Sequence, residues 1–266
     1  THKVIYSYCG GTNVLHWTRL KTGQKNQIKL CLSKLSPRGS WCELPCNSIF
    51  FSGGYRGADI IRDVICIAAI RDFSCLSVAP MISVRSLHSS AYSKGNLYVI
   101  GGWNRSTLRD CERYDIKGKR WEALPPSIFG VCQHSIMMHE GSQMLYAFGG
   151  FNGKEYTLSV QQLSTKQLVW RVFELDVPNI LYSPGVVRSS QNCMISNFSY
   201  QSVCYLVLNS CLFLIDLQSF QMTAIETLDA SFKNFNGPCY YSSGVLYASY
   251  HDGEVQQCSI RSLQFC

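Results

Sequence analysis

Four Gly-Gly doublets recur along the chain at nearly constant spacing, and this regularity constrains the fold more than any other feature. Successive doublets are 43, 48 and 48 residues apart. Self-similarity with a period of 20 to 50 residues is typical of solenoids, propellers and related arrays. The pattern therefore predicts a repeat protein. The doublets are Gly10-Gly11, Gly53-Gly54, Gly101-Gly102 and Gly149-Gly150.

Each doublet ends an apolar run of strand type, and an aromatic residue stands three places before the first glycine in three of the four cases. Two later runs, at residues 203–208 and 246–250, keep the aromatic but have lost the glycines. Counting them as units gives further steps of 59 and 42 residues, so that six units of about 44 residues fill the chain. The aromatics are Phe50, Tyr98, Tyr146, Tyr205 and Tyr247.

The order of residues within a unit also repeats. In the third unit the doublet is followed by Tyr114-Asp115, a polar turn, and Trp121, twenty places after Gly101. Trp170 and Phe73 hold similar positions in the fourth and second units. This order predicts four short strands, a to d, with the doublet at the end of strand b and the aromatic on strand d. A glycine at the strand end permits a positive φ and lets a neighbouring chain pass close by.

These residues resemble the Kelch repeat, whose units run strand, Gly-Gly, Tyr-Asp, Trp. Residues 85–124 follow that pattern almost fully. The resemblance implies an all-β fold. The expected architecture is a six-bladed Kelch-type β-propeller with four-stranded antiparallel blades. It should form a single domain over residues 1–266. The first and last blades are expected to be incomplete, with flanking sequence left out. The expected blades are residues 1–32, 33–79, 80–125, 126–175, 176–228 and 229–266.

Charge and hydropathy narrow the class of partner. The net charge of +7 arises from 24 basic and 17 acidic residues without a run of basic ones, which argues against nucleic-acid binding and leaves a mild bias toward acidic partners. No segment has the length of apolar residues that a membrane span needs, and no signal peptide is recognisable. We expect a cytoplasmic protein with no membrane contact.

The potential metal ligands and catalytic residues are scattered. Fourteen cysteines show no C-x-x-C pair, and we interpret most of them as small apolar fillers, including Cys42 and Cys46, which lie four apart. His88 and His134 are expected at equivalent positions in strand a, which explains their recurrence without chemistry. We expect no enzyme, no metal and no cofactor. Some Kelch-like propellers are copper oxidases, which makes an oxidase the less favoured alternative.

Chain reversals alternate between the two ends of an antiparallel blade, so the b–c loops and the d–a links between blades should share one face. Arginine and aromatic groups there suit capture of a protein or peptide. Trp103 and Phe151 have a second interpretation as caps of the blade edges. Arg85, which resembles a family position near the channel mouth, has one as a salt bridge between blades. The candidate partner-binding residues are Tyr55, Arg56, Arg85, Trp103, Asn104, Arg105, Phe151 and Asn152.

The resemblance implies a non-catalytic protein–protein interaction module. One form of this function is a substrate receptor within a larger protein of the ubiquitin-ligase adaptor kind. A cytoskeletal, actin-associated scaffold is the alternative from another class. The extra length of the 59-residue step falls at residues 172–192, a loop that either contacts a partner or packs over its blade.

Overall fold

The computed structural model describes residues 4–8, 13–19, 22, 24–30, 36–45, 48–68, 74–176, 193–200, 203–208, 211–227, 239–242, 245–249 and 255–259. Strands and turns dominate these residues, which confirms the all-β prediction. Within these ranges there is no helix of the length and hydrophobicity needed to cross a bilayer.

The strands are short, mostly five or six residues long. The first nine are β1 (Val4–Tyr8), β2 (Val14–Arg19), β3 (Lys25–Lys29), β4 (Ser40–Leu44), β5 (Ser48–Ser52), β6 (Tyr55–Arg56), β7 (Asp59–Ile60), β8 (Val64–Ala68) and β9 (Ser74–Val78). Next come β10 (Ser89–Ser93), β11 (Asn96–Ile100), β12 (Cys111–Asp115), β13 (Arg120–Leu124), β14 (Ser135–His139), β15 (Met144–Phe151), β16 (Tyr156–Ser164) and β17 (Val169–Phe173). The last are β18 (Cys193–Tyr200), β19 (Val203–Leu208), β20 (Cys211–Asp216), β21 (Met222–Thr227), β22 (Cys239–Ser242), β23 (Val245–Ser249) and β24 (Val255–Ser259).

The chain divides into two compact units, of which the larger contains Leu30–Phe173. This unit holds three antiparallel four-stranded sheets in succession, ordered β4-β5-β8-β9, β10-β11-β12-β13 and β14-β15-β16-β17. They are called the second, third and fourth sheets, after the repeat units that form them. The four-stranded antiparallel unit predicted from the repeat is therefore confirmed. A small ribbon of β6 and β7 lies between β5 and β8 in sequence.

The other unit contains Val14–Lys29 and the chain from Glu174 onward. Strands β1, β2 and β3 pair antiparallel in chain order. A seven-stranded sheet runs β21-β20-β19-β18-β22-β23-β24, with β18 and β22 parallel at Ile195 and Cys239. Of the predicted loop at residues 172–192, the part from residue 177 on lies outside the described residues.

Strand β11 is buried on both faces, which explains why the run before the doublet is continuously apolar. Leu97 and Val99 belong to a core cluster with residues of the preceding sheet, such as Phe50. Tyr98 and Ile100 belong to the next cluster, with residues of β15 and β16. Since successive strand residues point to opposite faces, one strand joins two cores.

The strand-d tryptophans tie each sheet to the link that enters it. The Trp121 indole N–H donates to the Ala79 carbonyl oxygen (2.7 Å), and the Trp170 indole N–H donates to the Pro125 carbonyl oxygen (2.8 Å). In the second sheet the register position equivalent to Trp121 holds Cys75. The predicted aromatic there, Phe73, lies outside the described residues.

The doublet glycines have the backbone and the surroundings predicted for them. Gly53, Gly101 and Gly149 have φ values of 60°, 58° and 60°. A Cβ on Gly101 would lie 2.3 Å from the Val131 carbonyl oxygen, which belongs to the chain entering the next sheet. The doublets therefore permit both a left-handed backbone and a close chain crossing. The first doublet, Gly10-Gly11, lies outside the described residues.

Two buried histidines fill the space beside the doublets. A Cβ on Gly102 would lie 2.9 Å from the His88 Cβ, and one on Gly150 would lie 2.7 Å from the His134 Cβ. Burial, followed by the charge of Arg85, lowers the pKa of His134 to about 3. The same two causes hold the pKa of His88 well below its usual range. Both rings are therefore neutral packing elements, at the equivalent positions predicted for them.

Because both histidines are buried and neutral, we expect the protein to lose stability in mild acid. The folded protein keeps both rings neutral, whereas the unfolded chain protonates them near pH 6.5. The free energy of unfolding should therefore fall as the pH drops below about 6.5, by about 1.4 kcal/mol per histidine between pH 7.5 and 5.5. Urea unfolding at the two pH values measures the loss. His134→Gln should roughly halve it, and an unchanged loss in that variant would contradict the assignment.

Candidate functional site

The b–c loops and the d–a links lie at the same end of their sheets and are hydrogen-bonded to each other. The Gly54 N–H donates to the Arg85 carbonyl oxygen, and the Met81 N–H donates to the Arg62 carbonyl oxygen, both at 2.9 Å. The same two bonds recur one sheet later, so these segments form a common surface, here called the loop face. The recurring bonds are Gly102 N–H to Val131 O (2.8 Å) and Ser127 N–H to Arg109 O (2.9 Å).

Tyr55 and Arg56 lie on the loop face in the β6–β7 hairpin, which the sequence did not predict. Gly57, with φ of 63°, allows its tight turn. The Tyr55 ring is half-buried under the Arg38 guanidinium, 5.7 Å from the ring centroid. The exposed Arg56 pairs with Asp63.

Trp103, Asn104 and Arg105 form the equivalent loop of the third sheet. Trp103 is half-buried, and its backbone exchanges hydrogen bonds with Ser86. The Asn104 N–H donates to the Ser106 carbonyl oxygen (2.9 Å), which closes the turn. Arg105 stands exposed at the turn with φ of 62°. Arg105 is therefore the member of this set that is most accessible to a partner.

Phe151 and Asn152 hold the same place in the fourth sheet. The Phe151 ring packs against Tyr156, with the centroids 5.4 Å apart. The Asn152 side-chain oxygen accepts hydrogen bonds from the N–H groups of Lys154 (2.9 Å) and Glu155 (3.0 Å). Thr107 Oγ1 donates to the Asn152 carbonyl oxygen (3.4 Å). The loops of the third and fourth sheets are thus adjacent.

Arg85 differs from the other candidates because its side chain is 0% exposed. Its guanidinium donates to the carbonyl oxygens of Gly101 (2.6 Å) and Asp110 (2.8 Å) and to the carboxylate of Glu112 (2.5 Å). Arg85 and Glu112 both lie within residues 80–125, one expected blade, so this ion pair is not the salt bridge between blades of the alternative interpretation. Arg85 supports the loop face from beneath and offers no surface to a partner.

The fourth sheet carries a neutral version of this ion pair. Val131 occupies the position of Arg85, and Gln161 occupies the position of Glu112. Gln161 is buried and bonds both the N–H and the carbonyl oxygen of Phe129, each at 3.2 Å. The fourth sheet thus lacks both the arginine and the glutamate. This is expected, because a buried charge is costly without its partner.

Sequence reasoning missed four residues of the loop face. Arg62 and Arg109 each begin an Arg-Asp dipeptide just before strand c, 47 residues apart. Ile82 and Ile128 follow 46 residues apart in successive d–a links, and both are exposed. The recurrence of the dipeptide at the repeat period was the signal that could have revealed them.

The described cysteines behave as apolar fillers. Burial raises the pKa of the Cys111 thiol to about 11 and also raises that of Cys42, so both thiols are protonated at neutral pH. Cys46 lies outside the described residues. Among the residues with described positions, no three His, Cys, Asp or Glu side chains lie together as metal ligands would.

Comparison with known proteins supports both the predicted repeat and the observed arrangement of four-stranded sheets. Residues 85–127 match the family model of the Kelch motif. This segment therefore carries a Kelch motif, and the chain is similar to Kelch-repeat proteins. The solved structure of YjhT, a Kelch propeller, superposes with a TM-score of 0.61 over 80% of this chain and 73% of that chain, at 14% identity. That likeness shows a β-propeller-like fold.

Similar proteins carry the Kelch repeats alongside other domains. A RING finger domain and kelch repeat-containing protein of Dictyostelium discoideum is 26% identical over 48% of this chain and 13% of its own length. The Kelch repeat and BTB domain-containing protein 2 of Ectromelia virus is 26% identical over 44% and 21%. A putative F-box/kelch-repeat protein of Arabidopsis thaliana is 27% identical over 42% and 31%. The chain thus spans under a third of the length of these relatives.

Proposed function

We propose that this chain is a non-catalytic protein-binding module whose loop face captures a partner protein or peptide. The supporting observation is that b–c loops and d–a links of successive sheets are hydrogen-bonded into one surface bearing Arg56, Arg105 and the half-buried aromatics. Arginine and large aromatics are enriched among residues that dominate interface energies. Backbone bonds hold these loops in place, which lowers the entropy cost of binding.

The proposal also covers the arrangement of the blades that carry the loop face. Six blades, residues 1–32, 33–79, 80–125, 126–175, 176–228 and 229–266, would form one propeller with the loop face on one side. The names of the relatives pair Kelch repeats with RING finger, BTB and F-box domains. We extend this to a role as the substrate-binding part of a larger, ubiquitin-ligase adaptor-like protein. Arg85 enters this proposal as a positioning residue, because its side chain is buried.

Selection of peptides tests the proposal. A phage-displayed library of random 12-residue peptides is panned on the chain, and the dissociation constants of enriched peptides are measured. Arg105→Ala should weaken binding about tenfold, the effect typical of an interface residue worth about 1.4 kcal/mol.

Lys117→Ala is the matched control, because Lys117 is also exposed but lies in the turn between β12 and β13, at the opposite end of the sheet. The two variants have the same net charge, so a difference between them reports position. Equal affinities for both variants would refute binding through Arg105, and a library that yields no binder would refute the proposed function.

A further inference from the structure

Two exposed isoleucines occupy the same position in successive d–a links. Ile82 is 49% exposed and Ile128 is 46% exposed. The residue before each of them donates its N–H to the carbonyl oxygen of an arginine, Arg62 or Arg109. Each isoleucine is therefore presented beside an arginine at the end of the same sheet. We call Arg62 with Ile82, and Arg109 with Ile128, the Arg/Ile pairs.

Buried polar side chains hold both links from beneath. The Glu112 carboxylate accepts the N–H groups of Ile82 (2.7 Å) and Ser83 (2.9 Å). Gln161 performs the equivalent task through the backbone of Phe129. Exposed apolar side chains on a fixed backbone lose little further freedom when a partner covers them. These isoleucines are thus suited to serve as anchors.

The paired arginines retain donors for a carboxylate. Arg109 Nε donates to the Ser127 carbonyl oxygen (2.6 Å), and an Arg62 terminal nitrogen donates to the Ile82 carbonyl oxygen (3.4 Å). Each bond uses one of the five N–H donors of a guanidinium. Neither arginine forms a salt bridge with a described residue. The free donors can therefore bind an incoming carboxylate.

The nearest acidic residues are occupied elsewhere. Asp63 and Asp110 follow the two arginines directly in sequence. Asp63 pairs with Arg56, while Asp110 accepts a hydrogen bond from the Ser83 hydroxyl (3.1 Å). Arg56 is thus neutralised within its own loop, in contrast to the paired arginines. Neither carboxylate forms an ion pair with Arg62 or Arg109, so a partner carboxylate can pair with these arginines.

We propose that the Arg/Ile pairs form a repeated site for an extended segment of a partner protein that carries two acidic–apolar dipeptides. Each carboxylate binds one guanidinium, and each apolar side chain covers one isoleucine. Arginine presents a planar fork that matches a carboxylate, and the apolar contact excludes water from the ion pair. This inference rests on the proposed function and assigns the partner chemistry for the loop face.

Synthetic peptides test the site directly. The probes are fluorescein-labelled peptides with two Glu-Leu dipeptides separated by Gly-Ser spacers of increasing length, and fluorescence anisotropy reports binding. One spacer length should bind best, because the two pairs are fixed in the structure. Replacing both glutamates with glutamine, or both leucines with serine, should weaken binding about tenfold or more.

Variants of the protein complete the test. Ile82→Ser and Arg109→Gln should each weaken the best peptide about tenfold. Leu168→Ser and Lys166→Gln are matched controls, since both residues are exposed in the turn between β16 and β17, and they should leave binding unchanged. A panel without any binder, or binding that is insensitive to Ile82→Ser and Arg109→Gln, would overturn the inference.

Failure of this inference is distinguishable from failure of the proposed function. If phage-selected peptides respond to Arg105→Ala but not to Ile82→Ser or Arg109→Gln, the loop face binds partners by other residues and the Arg/Ile inference alone is wrong. If the selected peptides ignore all three changes, both are wrong.

Discussion

Gly101→Ala should destabilise the protein by roughly 3–5 kcal/mol, combining the costs of overpacking and of a left-handed backbone. The new Cβ would lie 2.3 Å from the Val131 carbonyl oxygen, and the residue keeps a φ of 58° in the native fold. The oxygen belongs to backbone that enters the next sheet, so it has little room to retreat. Urea unfolding monitored by tryptophan fluorescence measures the change in the free energy of unfolding.

Gly57→Ala separates the two causes. Gly57 has nearly the same φ, 63°, but a Cβ there would meet nothing within 4 Å. This variant should therefore lose only about 1 kcal/mol, the cost of the left-handed backbone. Similar losses for the two variants would mean that the doublet is required for its φ alone and that the close crossing has no energetic weight.

Removal of either partner of the Arg85–Glu112 ion pair should destabilise the protein by about 3–5 kcal/mol, because the other charge is then left buried. The substitutions to use are Arg85→Val and Glu112→Gln, which introduce the residue types that the fourth sheet has at the same positions. Denaturant unfolding of both single variants and of the double variant gives the coupling free energy.

The double variant should lose markedly less stability than the sum of the two single variants. It contains no buried charge, and the glutamine introduced by Glu112→Gln would bond the link from below as Gln161 does in the next sheet. The reference change is Arg56→Val with Asp63→Asn, an ion pair whose side chains are 70% and 50% exposed. Exposed pairs contribute about 0–1 kcal/mol, so this cycle should show little coupling. Additive losses at Arg85 and Glu112 would show that the buried charges act independently.

The repeat itself was readable from the sequence, because the residues that report it are local to each strand. A doublet must end strand b where the backbone turns left-handed, and apolar residues must fill a strand buried on both faces, as at Leu97 and Val99. These requirements recur in the second, third and fourth units, so spacing and residue order predicted the four-stranded antiparallel pattern, and the residues at those positions resemble the Kelch repeat. The number of blades, the single domain, the site residues and the absence of catalysis remain predictions.

The candidate site was only partly readable. Arginine and aromatic residues after each doublet could be placed on a loop by the strand order, and Tyr55, Trp103 and Phe151 lie there. Arg85 looked like a surface residue because its partner Glu112 is 27 positions away in sequence. Ile82 and Ile128 were missed because an apolar residue within a link does not reveal its exposure, which only the fold decides.

By itself the sequence determined the period, the strand type and the places where the chain needs glycine, since each leaves a residue pattern along a short stretch of chain. The tertiary structure decided which charges are buried, which isoleucines are exposed and which arginines keep free donors. Those properties depend on how the links pack against the sheets, where residues such as Arg85 and Glu112 meet across a sequence distance that no local pattern records.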